Sequence, residues 1–177
     1  MIEGAPAPAP IIISALFGDE DFAYLDGFRR QHFPPERNQL SAHLTLFHHL
    51  PPSAEREIGT RLAEEARAPP PPAELSGVMN LGRGVALRVK SAELEAIRHR
   101  LASGFAGLLT PQDAGGWRPH VTIQNKAAPD AVRALLTEMT ASFRPRPLRI
   151  AGLAAYYYRG GPWELIARHS FRGRQSS

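Results

Sequence analysis

A histidine, an apolar residue and a threonine follow one another twice in this chain, as His43-Leu44-Thr45 and as His120-Val121-Thr122. The surroundings of the two copies agree, and this agreement constrains the fold more than any other feature. Each copy lies in an apolar stretch that reads as a strand, the first from about Ala42 to His49 and the second from Pro119 onward. A strand and an amphipathic helix precede each: Ile11 to Phe17 and Asp19 to His32 before the first, Val85 to Lys90 and a helix capped by Ser91 before the second. A further helix follows each, with Ser53 and Asp130 as expected N-caps, both ten positions beyond their histidine. Two copies of one strand-helix-strand-helix order predict two related halves facing each other across a cleft, and two copies are too few for a solenoid.

The remaining segments fit around this repeat. The helix after Ser53 turns Ile58, Leu62 and Ala66 inward and must stop before Pro69, where four prolines form a stiff connection. Leu75 to Leu81 and Val85 to Lys90 flank Gly82-Arg83-Gly84 as a hairpin. The helix after Ser91 carries Leu94, Ile97, Leu101, Phe105 and Leu108 on one face, and the helix after Asp130 carries Val132, Leu135, Leu136, Met139 and Phe143. A final hairpin pairs Leu148 to Tyr158 with Trp163 to Phe171 through Gly160-Gly161. Residues 11–171 are therefore expected to form a single bilobal domain of two intertwined lobes. Before them lies an Ala-Pro arm, residues 1–10, expected to be extended and mobile, and after them a tail, residues 172–177, expected to fray.

Composition narrows the chemistry. The chain has no cysteine, which removes disulfides, thiolate metal sites and a cysteine nucleophile and suits a reducing, cytoplasmic setting. A formal charge of +4 favours an anionic partner without requiring a long nucleic acid. No apolar run approaches the roughly 20 residues that cross a bilayer, and "MIEGAPAPAP" does not read as a signal peptide. Nothing demands a membrane, an obligate protein partner or an oligomer.

On a strand, residues i and i+2 share a face, so each motif presents one imidazole and one hydroxyl, roughly 7 Å apart along the backbone. Brought together, two imidazoles and two hydroxyls suit phosphodiester chemistry. An unperturbed imidazole titrates near 6.5, so one can accept a proton while its twin donates one. The threonine hydroxyls donate to the non-bridging oxygens, where charge gathers in the transition state. No metal or other cofactor enters this scheme. His48 and His49 do not complete a metal site with His43: His49 lies on the order of 20 Å along an unbroken strand, and His48 is expected on the opposite face.

The pair "HLT" and "HVT" resembles the signature of the two-histidine phosphoesterase superfamily, and "PHVTI" with the tyrosine-rich hairpin resembles its bacterial 2′-5′ RNA ligase-like, cyclic phosphodiesterase branch. The resemblance spans about Ile11 to Phe171. It implies an α+β fold with two antiparallel sheets lining a central cleft and helices outside. It also implies metal-independent cleavage of 2′,3′-cyclic phosphates or 2′-5′ phosphodiesters in RNA-like or nucleotide substrates. His43 and His120 would then be the acid-base pair, and Thr45 and Thr122 the phosphate ligands. With no nucleotide-binding loop to couple ATP, a hydrolytic phosphoric diester reaction, or the reverse of transesterification, is the expectation, not ATP-driven ligation.

Strand parity adds Gln124 and Arg118 to the face of His120 and puts Phe47 on the face of His43, where it either stacks a base or fills the core. Of the tyrosines, Tyr156 and Tyr158 share a face, and Tyr158 is taken as the substrate-binding one. The alternative reading is a non-catalytic module of the same fold that binds RNA ends.

Overall fold

The computed structural model describes residues 8–173. Eight strands and five α-helices run in the order β1 (Ile11–Phe17), α1 (Asp19–His32), β2 (Leu44–Leu50), α2 (Glu55–Glu65), β3 (Glu74–Asn80), β4 (Val85–Lys90), α3 (Ala92–Gly104), α4 (Pro111–Ala114), β5 (His120–Gln124), α5 (Pro129–Ser142), β6 (Arg146–Pro147), β7 (Ile150–Tyr157) and β8 (Glu164–Ser170). The strands form two antiparallel four-stranded sheets, ordered β2-β1-β7-β8 and β5-β4-β3-β6. The duplication is visible in that order. Each sheet has a His-x-Thr strand at one edge, and the strand beside it is the one that precedes it in the chain, with α1 between them in one lobe and α3 in the other. The α+β fold with two sheets and outer helices agrees with expectation, and among the described residues no helix is long and apolar enough to cross a membrane.

One hydrophobic cluster runs through both lobes, from Ile11, Ile13 and Leu44 to Leu87, Val121 and Ile123. The helices close it with the faces their spacing predicts: Ile58 and Leu62 from α2, Leu94, Ile97 and Leu101 from α3, Val132, Leu135 and Met139 from α5. Leu136 and Phe143 are only partly buried against it. Leu108 is not on that face: α3 ends at Gly104, Gly107 takes φ +84°, and the chain turns Leu108 out to solvent.

Two helix starts differ from expectation, both because of proline. Pro51 and Pro52 lack N–H donors and lead into one 3-10 turn, so α2 begins at Glu55 with Ala54 as its N-cap and Ser53 left inside the turn. Pro129 takes the first position of α5, which makes Ala128 the N-cap and puts Asp130 in the first turn, beside the positive end of the helix dipole. Ser91 does cap α3, accepting from the Leu94 N–H at 3.1 Å, and its hydroxyl donates to the Pro72 carbonyl at 2.6 Å. That bond ties the proline run to the second lobe.

Most of the N-terminal arm lies outside the described residues, but its end is anchored: Ala9 is buried and the Pro10 carbonyl accepts from the Tyr158 N–H. At the other end the Arg172 and Gly173 N–H groups donate to the Ala68 carbonyl, and residues 174–177 lie outside the described residues.

Candidate active site

Both histidines are held by the same device. The Nδ1 of His43 lies 2.8 Å from the Ser41 carbonyl, and the Nδ1 of His120 lies 2.8 Å from the Arg118 carbonyl, in each case the carbonyl two residues earlier. A carbonyl can only accept, so Nδ1 carries the hydrogen and Nε2 is the free nitrogen of the neutral ring. The backbone around each ring is pinned from the neighbouring elements. Asp26 of α1 accepts from the Ala42 N–H at 2.9 Å and the Ser14 hydroxyl donates to the Leu44 carbonyl at 2.9 Å, while the Pro119 carbonyl accepts from the Val89 N–H at 3.0 Å. Two imidazoles are thus presented by equivalent edges of two sheets.

His43, Thr45, His120 and Thr122 line one cavity of about 330 Å³, and Arg118 stands exposed on its wall. Two buried arginines hold the lobes together around it. Arg29 of α1 donates across the cleft to the Thr122 carbonyl at 2.9 Å and, within its own lobe, to the Leu40 carbonyl at 3.1 Å. Arg98 of α3 donates across in the other direction, to the Leu46 carbonyl at 3.2 Å, and its guanidinium lies 4.4 Å from the Phe47 ring centroid. Trp117 adds a third tie through its indole N–H to the Thr45 carbonyl at 3.1 Å. Main-chain carbonyls of both His-x-Thr strands are therefore claimed by the opposite lobe, which fixes the distance between the motifs.

Two expected site residues are elsewhere, for one shared reason. Ser14 pairs with Thr45 and Ile13 with Phe47, so an extra residue of β2 bulges at Leu46. Ala86 pairs with Thr122 and Val85 with Gln124, so β5 bulges at Ile123, the equivalent position. Alternation breaks directly after each threonine. Phe47 is 0% exposed, packed edge-on against Phe105, and Gln124 is buried with its amide directed at the Ala131 carbonyl, 3.5 Å away. Neither reaches the cavity.

The same bulge brings in His48, which parity puts on the far face. It lines the cavity with His43, its side chain is 44% exposed, and its Nδ1 lies 3.1 Å from Asp113. Asp113, 1% exposed in its side chain, also accepts from the His48 and His49 backbone N–H groups at 2.9 Å. Burial pushes its carboxyl up, but the bonds from His48 and His49 outweigh that and hold it below the usual carboxylate value. Among the described residues no group of three or more histidines and acids is arranged to hold a metal ion.

Trp163, read from the sequence only as a hairpin residue, covers His43 at 4.6 Å between ring centroids and itself packs on Tyr156 at 5.6 Å. Burial lowers the His43 imidazole to about 4, the Ser41 carbonyl works against this, and the positive charge of Arg29 adds to it, as do His120 and His48 when charged. Two further cavities open from the same histidine. One, of about 450 Å³, is lined by Phe22, Tyr156, Trp163 and Arg168; the other, of about 310 Å³, shares Thr122 and has Tyr158 on its wall. Tyr156 and Tyr158, expected on one strand face, thus border different cavities, and β7 ends at Tyr157, before the second of them.

Fold and site together define a duplicated α+β protein with one His-x-Thr strand per lobe, both opening on one cavity. The chain belongs to the 2′-5′ RNA ligase superfamily, whose family model matches residues 17–162. Among solved structures it is similar to TT0787 of Thermus thermophilus, with 18% identity, a TM-score of 0.65, and coverage of 94% of this chain and 100% of that one. It is also similar to E. coli LigT complexed with 3′-AMP, with 18% identity, a TM-score of 0.64, and coverage of 93% and 99%. A structure described as a phosphoesterase has 21% identity, a TM-score of 0.62, and coverage of 93% and 99%. None of the curated proteins matches the chain in sequence.

Proposed function

We propose that this protein is a metal-independent phosphoesterase that cleaves a 2′,3′-cyclic phosphate or 2′-5′ phosphodiester of an RNA-like substrate with His43 and His120 as its acid-base pair. The observation that carries this reading is the matched tethering of the two rings: both Nδ1 atoms bonded to a carbonyl two residues back, both rings on one cavity with Thr45 and Thr122. For a cyclic phosphate, neutral His43 takes a proton through Nε2 from the water that attacks phosphorus. The new P–O bond forms as the bond to a ribose oxygen breaks, and protonated His120 gives its proton to that oxygen. His43 ends charged and His120 neutral, and proton exchange with solvent resets the pair. Burial keeps the His43 ring neutral at rest, so its Nε2 is open to accept a proton. The hydroxyls of Thr45 and Thr122 donate to the non-bridging oxygens, and Arg118 supplies positive charge at the rim.

LigT has been solved with 3′-AMP, NADP+ and ATP, which is consistent with a nucleotide-like ligand for this chain. The deciding experiment is hydrolysis of nucleoside 2′,3′-cyclic phosphates, with chelator present, by the wild type and by His43→Ala and His120→Ala. Turnover by the wild type, and losses on the order of 10²–10⁴-fold in each variant, are expected. Wild-type turnover that survives either substitution sinks the paired-histidine mechanism. Absence of turnover, with salt-sensitive binding of RNA ends retained in His43→Ala, favours the non-catalytic module.

A further inference from the structure

The cavity of about 310 Å³ beyond Thr122 is not accounted for by acid-base chemistry on one phosphate. Its wall includes His43 and Thr122, so it opens directly from the reaction cavity, and it adds Arg29, Arg37 and Lys126. No carboxylate lines it. Some other surface arginines are neutralised: Arg100 pairs with Glu65 at 2.8 Å and Arg146 with Asp21 at 3.1 Å. Among the described residues Arg37 and Lys126 make no ion pair, and Arg29 spends its bonds on two main-chain carbonyls and the Asn38 amide oxygen, leaving its charge without a directly bonded anion. Cations gathered around one concave surface repel each other and draw in an anion.

The two exposed cations are carried on braced backbone. Lys126 is the one non-glycine residue among the described residues with positive φ, +54°, a conformation that most side chains avoid. It is held there by its N–H to the Asn125 side-chain oxygen at 2.9 Å and by the next residue, whose N–H donates to the Arg83 carbonyl at 3.1 Å. Arg37 closes a one-turn helix, its N–H on the Pro34 carbonyl at 2.9 Å, and its own carbonyl accepts from Gln39 at 3.1 Å. The other two cavities lack this character. The reaction cavity contains the Asp113 carboxylate, and the 450 Å³ cavity is bordered by rings and by Asp19.

We propose that the cavity of Arg29, Arg37 and Lys126 binds a second phosphate group of the substrate. The substrate class is then an RNA-like molecule in which the reacting phosphodiester is accompanied by another phosphate, and a bare cyclic mononucleotide is a minimal version of it. The inference rests on the phosphoesterase reading above and names its substrate class. A terminal phosphomonoester and a neighbouring phosphodiester share the chemistry that this cavity recognises, and the test separates them.

The experiment compares three compounds: a nucleoside 2′,3′-cyclic phosphate, the same nucleoside carrying a 5′-phosphate as well, and a dinucleotide ending in a 2′,3′-cyclic phosphate. Wild type, Arg37→Gln, Lys126→Gln and the double variant are assayed on each. The wild type is expected to prefer one or both phosphate-bearing compounds by about tenfold or more in kcat/KM. The double variant should lose about 10–100-fold on those compounds, mostly in KM, since each lost charge-assisted bond is worth about tenfold. Its rate on the bare cyclic mononucleotide should stay within about threefold. Preference for the 5′-phosphate compound alone identifies a terminal phosphate, and preference for the dinucleotide alone identifies the next phosphodiester. Turnover of all three without preference, or equal losses on all three in the double variant, overturns the assignment of the cavity while leaving the reaction intact. No turnover of any compound overturns the reaction. Calorimetric binding of the phosphate-bearing compounds then decides the cavity separately: weakening in the double variant supports it, and unchanged affinity refutes it.

Discussion

Replacing His43 with glutamine should make the protein less sensitive to mild acid, and the sign follows from where the ring sits. In the folded protein His43 titrates at about 4 because it is closed in beneath Trp163 and faces the positive charge of Arg29. In the unfolded chain it titrates near 6.5. Above about pH 6.5 the ring is neutral in both states and costs nothing. As pH falls toward 4 the unfolded chain takes up a proton that the native state refuses, so native stability drops across that window, by at most about 1.4 kcal/mol per pH unit. Between pH 7 and pH 5 the two pKa values correspond to about 2 kcal/mol, and solvent reaching the half-buried ring reduces this to about 1–2 kcal/mol. Urea unfolding at several pH values in this range reads the effect directly. The stability difference between His43→Gln and wild type should shift in favour of the variant by that amount on going from pH 7 to pH 5. Two curves that stay parallel would show that the folded ring titrates like a free one and would refute the closed environment argued for it.

Other substitutions probe separate parts of the design. Trp163→Ala should raise the His43 pKa from about 4 toward its ordinary value, because burial is the largest cause of the shift; an NMR titration of the imidazole proton reads it. Asp113→Ala removes the acceptor of the His48 and His49 backbone N–H groups and of the His48 ring, a loss on the order of 2–4 kcal/mol measured by urea unfolding. Arg98→Met leaves the Leu46 carbonyl without its cross-lobe donor; a lobe spacing set by such ties predicts a fall in kcat of about tenfold or more in a protein that still folds cooperatively. Gly84→Ala would drive its methyl into the Gln124 carbonyl at the end of β5, and overpacking of this kind costs about 1–3 kcal/mol in thermal or urea unfolding.

The duplicated architecture was legible because it rests on period: the residues that recur every two positions in β2 and β5, and every three to four in α2, α3 and α5, are largely those the structure buries. Both motifs reach one cavity as the repeat implied. Strand parity failed at the matched bulges, because an extra residue leaves no mark in an apolar run such as Leu44-Thr45-Leu46-Phe47. Phe47 and Gln124 were lost to the interior and His48 was gained. The Asp113–His48 bond joins residues 65 positions apart, and α4, which carries Asp113, is a four-residue helix with no periodic pattern to announce it. Arg29 and Arg98 sit at helix positions where a charge ordinarily means solvent; the carbonyls they bond, the Asn38 side chain and the Phe47 ring explain their burial. The nearest available clue was the placement of both on the apolar side of their helices.

The strand order of the first sheet also sets a sequence of events for a chain emerging from its N-terminus. The second sheet is drawn from the continuous stretch β3 to β6, so all its pairings, the longest being Glu74 with Pro147, are available before β7 is made. The first sheet waits. β1 finds β2 promptly, but its other edge pairs with β7, Ile11 against Tyr157, and β7 follows the whole of the second sheet in the chain. Until then a strand of Ile11-Ile12-Ile13 has one row of backbone donors and acceptors unmatched, the kind of edge that invites pairing with a neighbouring chain. Premature termination before Ile150 would leave the second sheet formed and β1 exposed, so truncated products should aggregate even though the first His-x-Thr motif is complete.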